Sequence, residues 1–210
     1  FDHIDDYQHY RFPLYSLEDW VFQNKFGLDP IQNLQRNIKA KDKSEFCGFV
    51  SSNGSNPVRN NIFHKLCHYK TVSSGGPLFN NIGHILPREE TAQIHKMNFF
   101  KNKKFSLCYE NSSYAGYVTE KLYHGFYMNT IPIYWGSPVV EVDFNPKAFV
   151  NRHDFESDED MIAKIVEIDQ NDDLYDEMMS EPIFSRPNKY LSLDRLADFF
   201  SKNVYGAIRQ

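Results

Sequence analysis

The stretch "ENSSYAGYVTEK", Glu110 to Lys121, gathers small residues, an amide, two tyrosines, two carboxylates and an amine into one short run. Such a mixture suits an anionic, hydroxyl-rich ligand. Gly116 and Ala115 let the backbone approach closely, Lys121 brings a full positive charge, and Glu120 offers a carboxylate to a sugar hydroxyl. A second cation, Arg59, follows "FVSSNGSNP" in what reads as the same strand-to-helix setting. Two cations delivered by two such joints can clamp one nucleotide diphosphate, because helix N-termini beyond the C-terminal ends of parallel strands already favour anions. Taken singly, each residue has a commoner role: Lys121 as a solvated helix lysine, Glu120 as a first-turn acid, Tyr117 as a core aromatic. The histidines at positions 3, 9, 64 and 68 lack carboxylate partners and are not read as metal ligands. The run Ser74-Gly75-Gly76 reads as a tight turn.

The elements that must carry these residues alternate. "EFCGFVSS", from Glu45 to Ser52, reads as a strand, and "NPVRNNIFHKLCHY" as a helix with Pro57 at its first position and Val58, Ile62, Leu66 and Tyr69 along one face. "KTVSSGG" reads as a short strand, "REETAQIHKMNFF" as a helix with acids in its first turn, and "KKFSLCYE" as a strand. The helix opened by Tyr117, Glu120 and Lys121 runs into the strand "TIPIYWG", and Ala148, Phe149 and Val150 suggest one more. Ser157 and Asp160 have the spacing of a helix N-terminal cap, and helices around "DDLYDEMM" and "SLDRLADFFSKNVYGAI" end the chain. Repeated strand-helix-strand order predicts a parallel, Rossmann-like sheet flanked by helices. Residues 44–210 are expected to form that domain. Residues 1–43 show no clean period and are expected to be an interdomain or peripheral segment.

The remaining numbers narrow the function classes. A net charge of -5 gives no electrostatic case for nucleic acid or an anionic membrane surface. No apolar run reaches the roughly 20 residues that cross a bilayer, so the chain reads as water-soluble. Cys47, Cys67 and Cys108 are odd in number and form no C-x-x-C, which argues against a disulfide framework and for buried thiols in a reducing compartment.

Over Glu45 to Phe155 the chain resembles the α-1,3-fucosyltransferases, particularly the bacterial enzymes that make Lewis-type antigens. The likeness rests on "FSLCYENSSYAGYVTEKLYHGFYMNTIPIYWGSPVVEVDFNPKAFVNRHDF", with "NPVRNNIFHKL" and "SSGGPLFNNIG" upstream in the expected order. The resemblance implies the C-terminal, donor-binding half of a GT-B-type glycosyltransferase with GDP-fucose as donor. Carried over by position, Arg59 and Lys121 would bind the diphosphate, and Asn111, Tyr117 and Glu120 would contact ribose, phosphate or fucose. Tyr109 stands where the family more often has Phe and is expected to put a hydroxyl near the crevice.

The reaction so implied is an inverting displacement in which a hydroxyl of an N-acetylglucosamine-containing glycan, of N-acetyllactosamine or lipopolysaccharide O-antigen type, attacks the anomeric carbon while GDP leaves. Arg59 and Lys121 would stabilise the departing diphosphate in place of a metal, with Glu120 beside them, so neither a metal nor a permanent cofactor is expected. In the resembling family the general base belongs to an N-terminal acceptor domain. "YRFPLY" resembles the stretch between the two domains, so this chain on its own is expected to bind donor and to transfer poorly. Another nucleotide-sugar transferase and a non-catalytic nucleotide- or glycan-binding module remain the alternatives. The sequons at Asn53 and Asn111 are read as coincidental, since a glycan on Asn111 would block the donor loop. A cytoplasmic enzyme, at most peripheral to an inner membrane, is the expectation.

Overall fold

The computed structural model describes residues 9–88 and 92–205. Five strands, β1 (Glu45–Phe49), β2 (Val72–Ser74), β3 (Lys103–Tyr109), β4 (Ile131–Trp135) and β5 (Val150–Asn151), form one sheet in the order β2-β1-β3-β4-β5. Every pairing is parallel. Helices α1 (Leu14–Phe26), α2 (Pro57–Cys67), α3 (Ala92–Phe100), α4 (Glu120–Tyr127), α5 (Asp158–Gln170), α6 (Asp172–Ser180) and α7 (Leu193–Phe200) complete the chain. Among the described residues no helix is long and apolar enough to cross a membrane.

Both faces of the sheet are buried, and the period of two in the strands sorts the side chains between them. Phe105, Leu107 and Tyr109 of β3, with Ile131 and Ile133 of β4, pack with residues of α2, α5 and α6. Cys108 and Tyr134 face the other way, against Leu122, Tyr123 and Phe126 of α4. There α4 sits very close to β3: a Cβ on Gly125 would lie 2.7 Å from Ser106 Oγ and 2.9 Å from Cys108 Sγ.

The local signals mostly hold. Ser157 caps α5 with Asp160 in a reciprocal capping box, and Pro57 stands at the start of α2 behind an Asn56 cap. Others shift. The buried face of α2 is Arg59, Ile62, Phe63 and Leu66, with Val58 exposed. Helix α4 begins at Glu120, which leaves Tyr117 in the loop before it. The last strand is Val150–Asn151, and Ala148 precedes it in a 3-10 turn. Cys67 is exposed, whereas Cys47 and Cys108 are buried. The Tyr109 hydroxyl points into the core toward Met161 Sδ at 3.6 Å, not into the crevice. The one Asp-x-Asp triplet, Asp158 to Asp160, is engaged at the start of α5: Asp158 pairs with Lys65 and Arg152, and Asp160 with Ser157. The acid-rich turn expected at Glu89 and Glu90, His3, and the first eight residues of the expected domain crossing lie outside the described residues.

The segment before β1 contains α1, whose buried positions Tyr15, Ser16, Asp19 and Phe22 face α4. Asp19 breaks the apolar period, yet it is fully used. It accepts from Ile31 N at 2.8 Å, Gln23 Nε2 at 2.7 Å and the Tyr123 hydroxyl at 3.1 Å. Phe22 meets Tyr123 and Tyr127 edge-on, with ring centroids 5.2 and 4.6 Å apart.

Candidate functional site

Two loops meet above the C-terminal edge of the sheet. Residues 50–56 leave β1 toward α2, and residues 110–119 leave β3 toward α4. Strands β1 and β3 are hydrogen-bonded neighbours, but the chain visits β2 on the far side of β1 before returning to β3. The loops therefore part to opposite faces of the sheet. This is the switch point at which open parallel sheets leave a crevice for ligands.

Asn56 and Arg59 tie the two loops together. The Asn56 side chain accepts from Arg59 N at 3.2 Å, capping α2, while its Nδ2 donates to the carbonyls of Glu110 at 3.0 Å and Asn111 at 3.1 Å. Arg59 Nη1 donates to Asn111 Oδ1 at 2.8 Å, and Nη2 donates to the Asn53 carbonyl. Its Nε has no partner among the described residues. Arg59 is only 1% exposed and meets open space at the inner cavity. Burial depresses its pKa, opposed by Glu110 and Tyr117.

Lys121 stands across the crevice at the first turn of α4. Its Nζ donates to Glu110 Oε2 and Thr119 Oγ1, each at 2.9 Å, and lies 3.4 Å from Glu120 Oε1. Burial opposes its charge, but Glu110 and Glu120 outweigh burial and hold its pKa above the ordinary value. Glu110 is wholly buried and also accepts from Thr119 N at 2.8 Å and Thr119 Oγ1 at 2.6 Å. Burial pushes its pKa up against the pull of Lys121 and Thr119. Glu120 goes the other way: burial raises its pKa, yet Lys121 and His124 bring it below the usual carboxylate value.

An inner cavity of about 60 Å³ is lined by Arg59, Glu120, Lys121 and His124 among others. An outer cleft of about 340 Å³ takes in Ser51, Asn53, Gly76, Asn111, Glu120 and Lys121. The structure thus brings four of the five sequence-predicted residues, Arg59, Asn111, Glu120 and Lys121, to one crevice. Tyr117 is half-buried in the loop and lines neither space.

Sequence reasoning missed Glu110, Asn56, Gly76 and Lys96. Glu110 begins the chemistry-rich run, and only burial reveals it as the partner of Lys121. A Cβ on Gly76 would lie 2.3 Å from the Ser51 carbonyl oxygen, so glycine is required for the wall of the outer cleft to close up. Lys96, on α3, lines both spaces.

Residues 38–180 match the family model described as glycosyltransferase family 10 (fucosyltransferase) C-term. Among curated proteins, the chain is 38% identical over 158 residues to an alpha-(1,3)-fucosyltransferase of Helicobacter pylori, covering 75% of this chain and 30% of that protein. It is 27% identical over 178 residues to GDP-fucose protein O-fucosyltransferase 3 of Xenopus laevis, covering 80% of this chain and 37% of that one. The chain therefore spans about a third of the length of these relatives. A crystal structure of an alpha1,3-fucosyltransferase with GDP-fucose superposes with a TM-score of 0.76 at 29% identity, over 97% of this chain and 68% of the other.

Proposed function

The chain belongs to glycosyltransferase family 10, the fucosyltransferases, and from that premise we propose that it forms the donor-binding half of an inverting α-1,3-fucosyltransferase. The donor is GDP-fucose, and the acceptor is a hydroxyl of an N-acetylglucosamine-containing glycan. One observation carries the reading: Arg59 and Lys121, in the first turns of the helices that follow neighbouring strands, line the same cavity at the switch point of the sheet. A structural relative at 29% identity that holds GDP-fucose supports the choice of donor.

In the proposed step the acceptor oxygen attacks the anomeric carbon of fucose while the bond to the β-phosphate breaks on the opposite face. Negative charge grows on the leaving diphosphate. Arg59 and Lys121 are fixed before the ligand arrives, so they stabilise that charge without reorganising. Asn111 contacts ribose or phosphate, and Glu120 accepts from a sugar hydroxyl; Tyr117, which lines neither space, is left without a contact in this step. The proton of the attacking hydroxyl goes to a base on the acceptor side, a role we assign to no residue of this chain. We place the reaction in the cytoplasm, with membrane attachment peripheral at most.

Nucleotide-dependent melting tests the donor. A ligand that binds only the folded state at a hundred times its Kd adds about 2.7 kcal/mol. GDP and GDP-fucose should raise the melting temperature, and UDP- and CMP-sugars should not. Stabilisation by a UDP-sugar alone would move the chain to another nucleotide-sugar class. The likeness to a protein O-fucosyltransferase favours a second acceptor, a protein hydroxyl. Parallel transfer assays on N-acetyllactosamine and on folded protein acceptors, run with the acceptor-side segment restored, separate the two, and GDP binding without any transfer there would mark a non-catalytic module.

A further inference from the structure

Resting on the donor reading above, we propose that Lys96 is a third phosphate-contacting cation, the one that gives the crevice its net positive charge. The two cations named so far do not supply it. Arg59 and Lys121 are matched by two carboxylates: Glu120, which lines the same space, and Glu110, buried behind it, both paired with Lys121. Two positive and two negative charges cancel, and a neutral crevice has little to offer a diphosphate.

Lys96 changes that balance. It comes from α3, a third element, and it sits where the inner cavity and the outer cleft join, lining both together with Val50, Ser51, Glu120 and Lys121. It makes no hydrogen bond or ion pair among the described residues, and it is half-buried. Glu18, which bears on it electrostatically, is already bonded to His124 at 3.2 Å. Arg88 also lines the outer cleft, but it is exposed, where solvent and salt screen its charge.

A half-buried ammonium that no carboxylate or carbonyl partners has lost part of its hydration without a protein group in exchange, which costs the unliganded fold free energy. Burial accordingly lowers its pKa, with Glu120 and Glu18 acting against that and Lys121 acting with it. A structural lysine would have a carboxylate or carbonyl at hydrogen-bond distance, as Lys103 has in Glu45 and the Phe99 carbonyl. An arriving diphosphate would provide what Lys96 lacks.

The test compares Lys96→Met and Lys96→Arg with the unsubstituted protein by calorimetric titration of GDP and GMP and by melting without ligand. Lys96→Met should weaken GDP binding on the order of ten- to a hundredfold, the size of a charge-assisted hydrogen bond. GMP, with less charge, should lose less, and Lys96→Arg should restore most of the GDP affinity. Without ligand, the methionine variant should melt at or above the unsubstituted protein. GDP binding by Lys96→Met equal to that of the unsubstituted protein overturns the role of Lys96 alone. Equal losses for GDP and GMP with a lowered melting temperature overturn it in favour of a packing role. An unsubstituted protein that ignores GDP overturns the donor reading and this inference with it.

Discussion

Arg59 and Asn111 join the β1 and β3 loops through a 2.8 Å hydrogen bond from Nη1 to Oδ1. Both residues border the crevice, so this bond holds the mouth of the site in shape and occupies a donor that a phosphate can use. Asn111→Asp puts a carboxylate on that donor. The fold should be as stable or more stable, since a charge-assisted bond replaces a neutral one. GDP binding should weaken on the order of tenfold or more, because the new charge competes with phosphate for Arg59. Chemical denaturation and GDP titration of the same preparation check both halves, and a gain in GDP affinity would contradict the phosphate role of Arg59.

Lys121 is held from one side by Glu110 and approached from the other by Glu120. Lys121→Ala should lower kcat on the order of 10² to 10³, as loss of a preorganised donor to a developing anion does. Glu110→Gln keeps the side-chain shape but removes the charge, leaving the ammonium to be drawn toward Glu120. A smaller fall in kcat, about tenfold, is expected, with KM changed less. Steady-state kinetics in the active protein decide it. Unchanged turnover in Glu110→Gln would show that its charge does not position Lys121.

The sheet and the loop after β3 were legible because their signals are local. Apolar alternation in β3 and β4, Pro57 at a helix start and the Ser157 and Asp160 pair each act within a few residues. What escaped reading depends on tertiary pairing. Helix α1 buries Tyr15, Asp19 and Phe22 on one face, and the aspartate in the middle hides the stripe until Ile31, Gln23 and Tyr123 are seen to satisfy it. Arg59 hides the true buried face of α2 in the same way. Glu110 and Lys96 carry no pattern at all, since nothing nearby in the chain tells a buried carboxylate or a crevice lysine from a solvated one.

His124 is buried on α4 with Nε2 3.2 Å from Glu18 Oε2. Burial brings its pKa below the ordinary 6.5, with Lys96 acting in the same sense and Glu18 and Glu120 against. The unfolded histidine therefore binds more protons near and below pH 6.5 than the folded one. Stability consequently rises with pH in that range. The contribution is whole above the ordinary value and is lost as pH falls toward the lower folded one. His124→Gln should flatten this slope: the loss of stability on going from neutral to mildly acidic buffer should be smaller than in the unsubstituted protein. Urea midpoints at the two pH values measure it, and equal slopes would mean that His124 is not the group responsible.

Arg11 and Asp143 form a bidentate pair at 2.5 and 2.6 Å, with side chains only 5% and 2% exposed. Arg11 also lies over the Tyr190 ring, 4.6 Å from its centroid, so this one guanidinium ties the N-terminal segment to the loop after β4 and to the C-terminal segment. Removing Arg11 strips the buried Asp143 carboxylate of its guanidinium countercharge. Arg11→Ala should therefore cost roughly 3–5 kcal/mol in denaturant titrations. Replacing both partners with apolar residues of similar size, as Arg11→Met with Asp143→Leu, removes both desolvation costs together and should recover most of that loss. Neither residue lines the crevice, so the double variant should bind GDP as the unsubstituted protein does once folded. A double variant no more stable than Arg11→Ala would show that the geometry of the pair, and not only the burial of its charges, holds the three segments together.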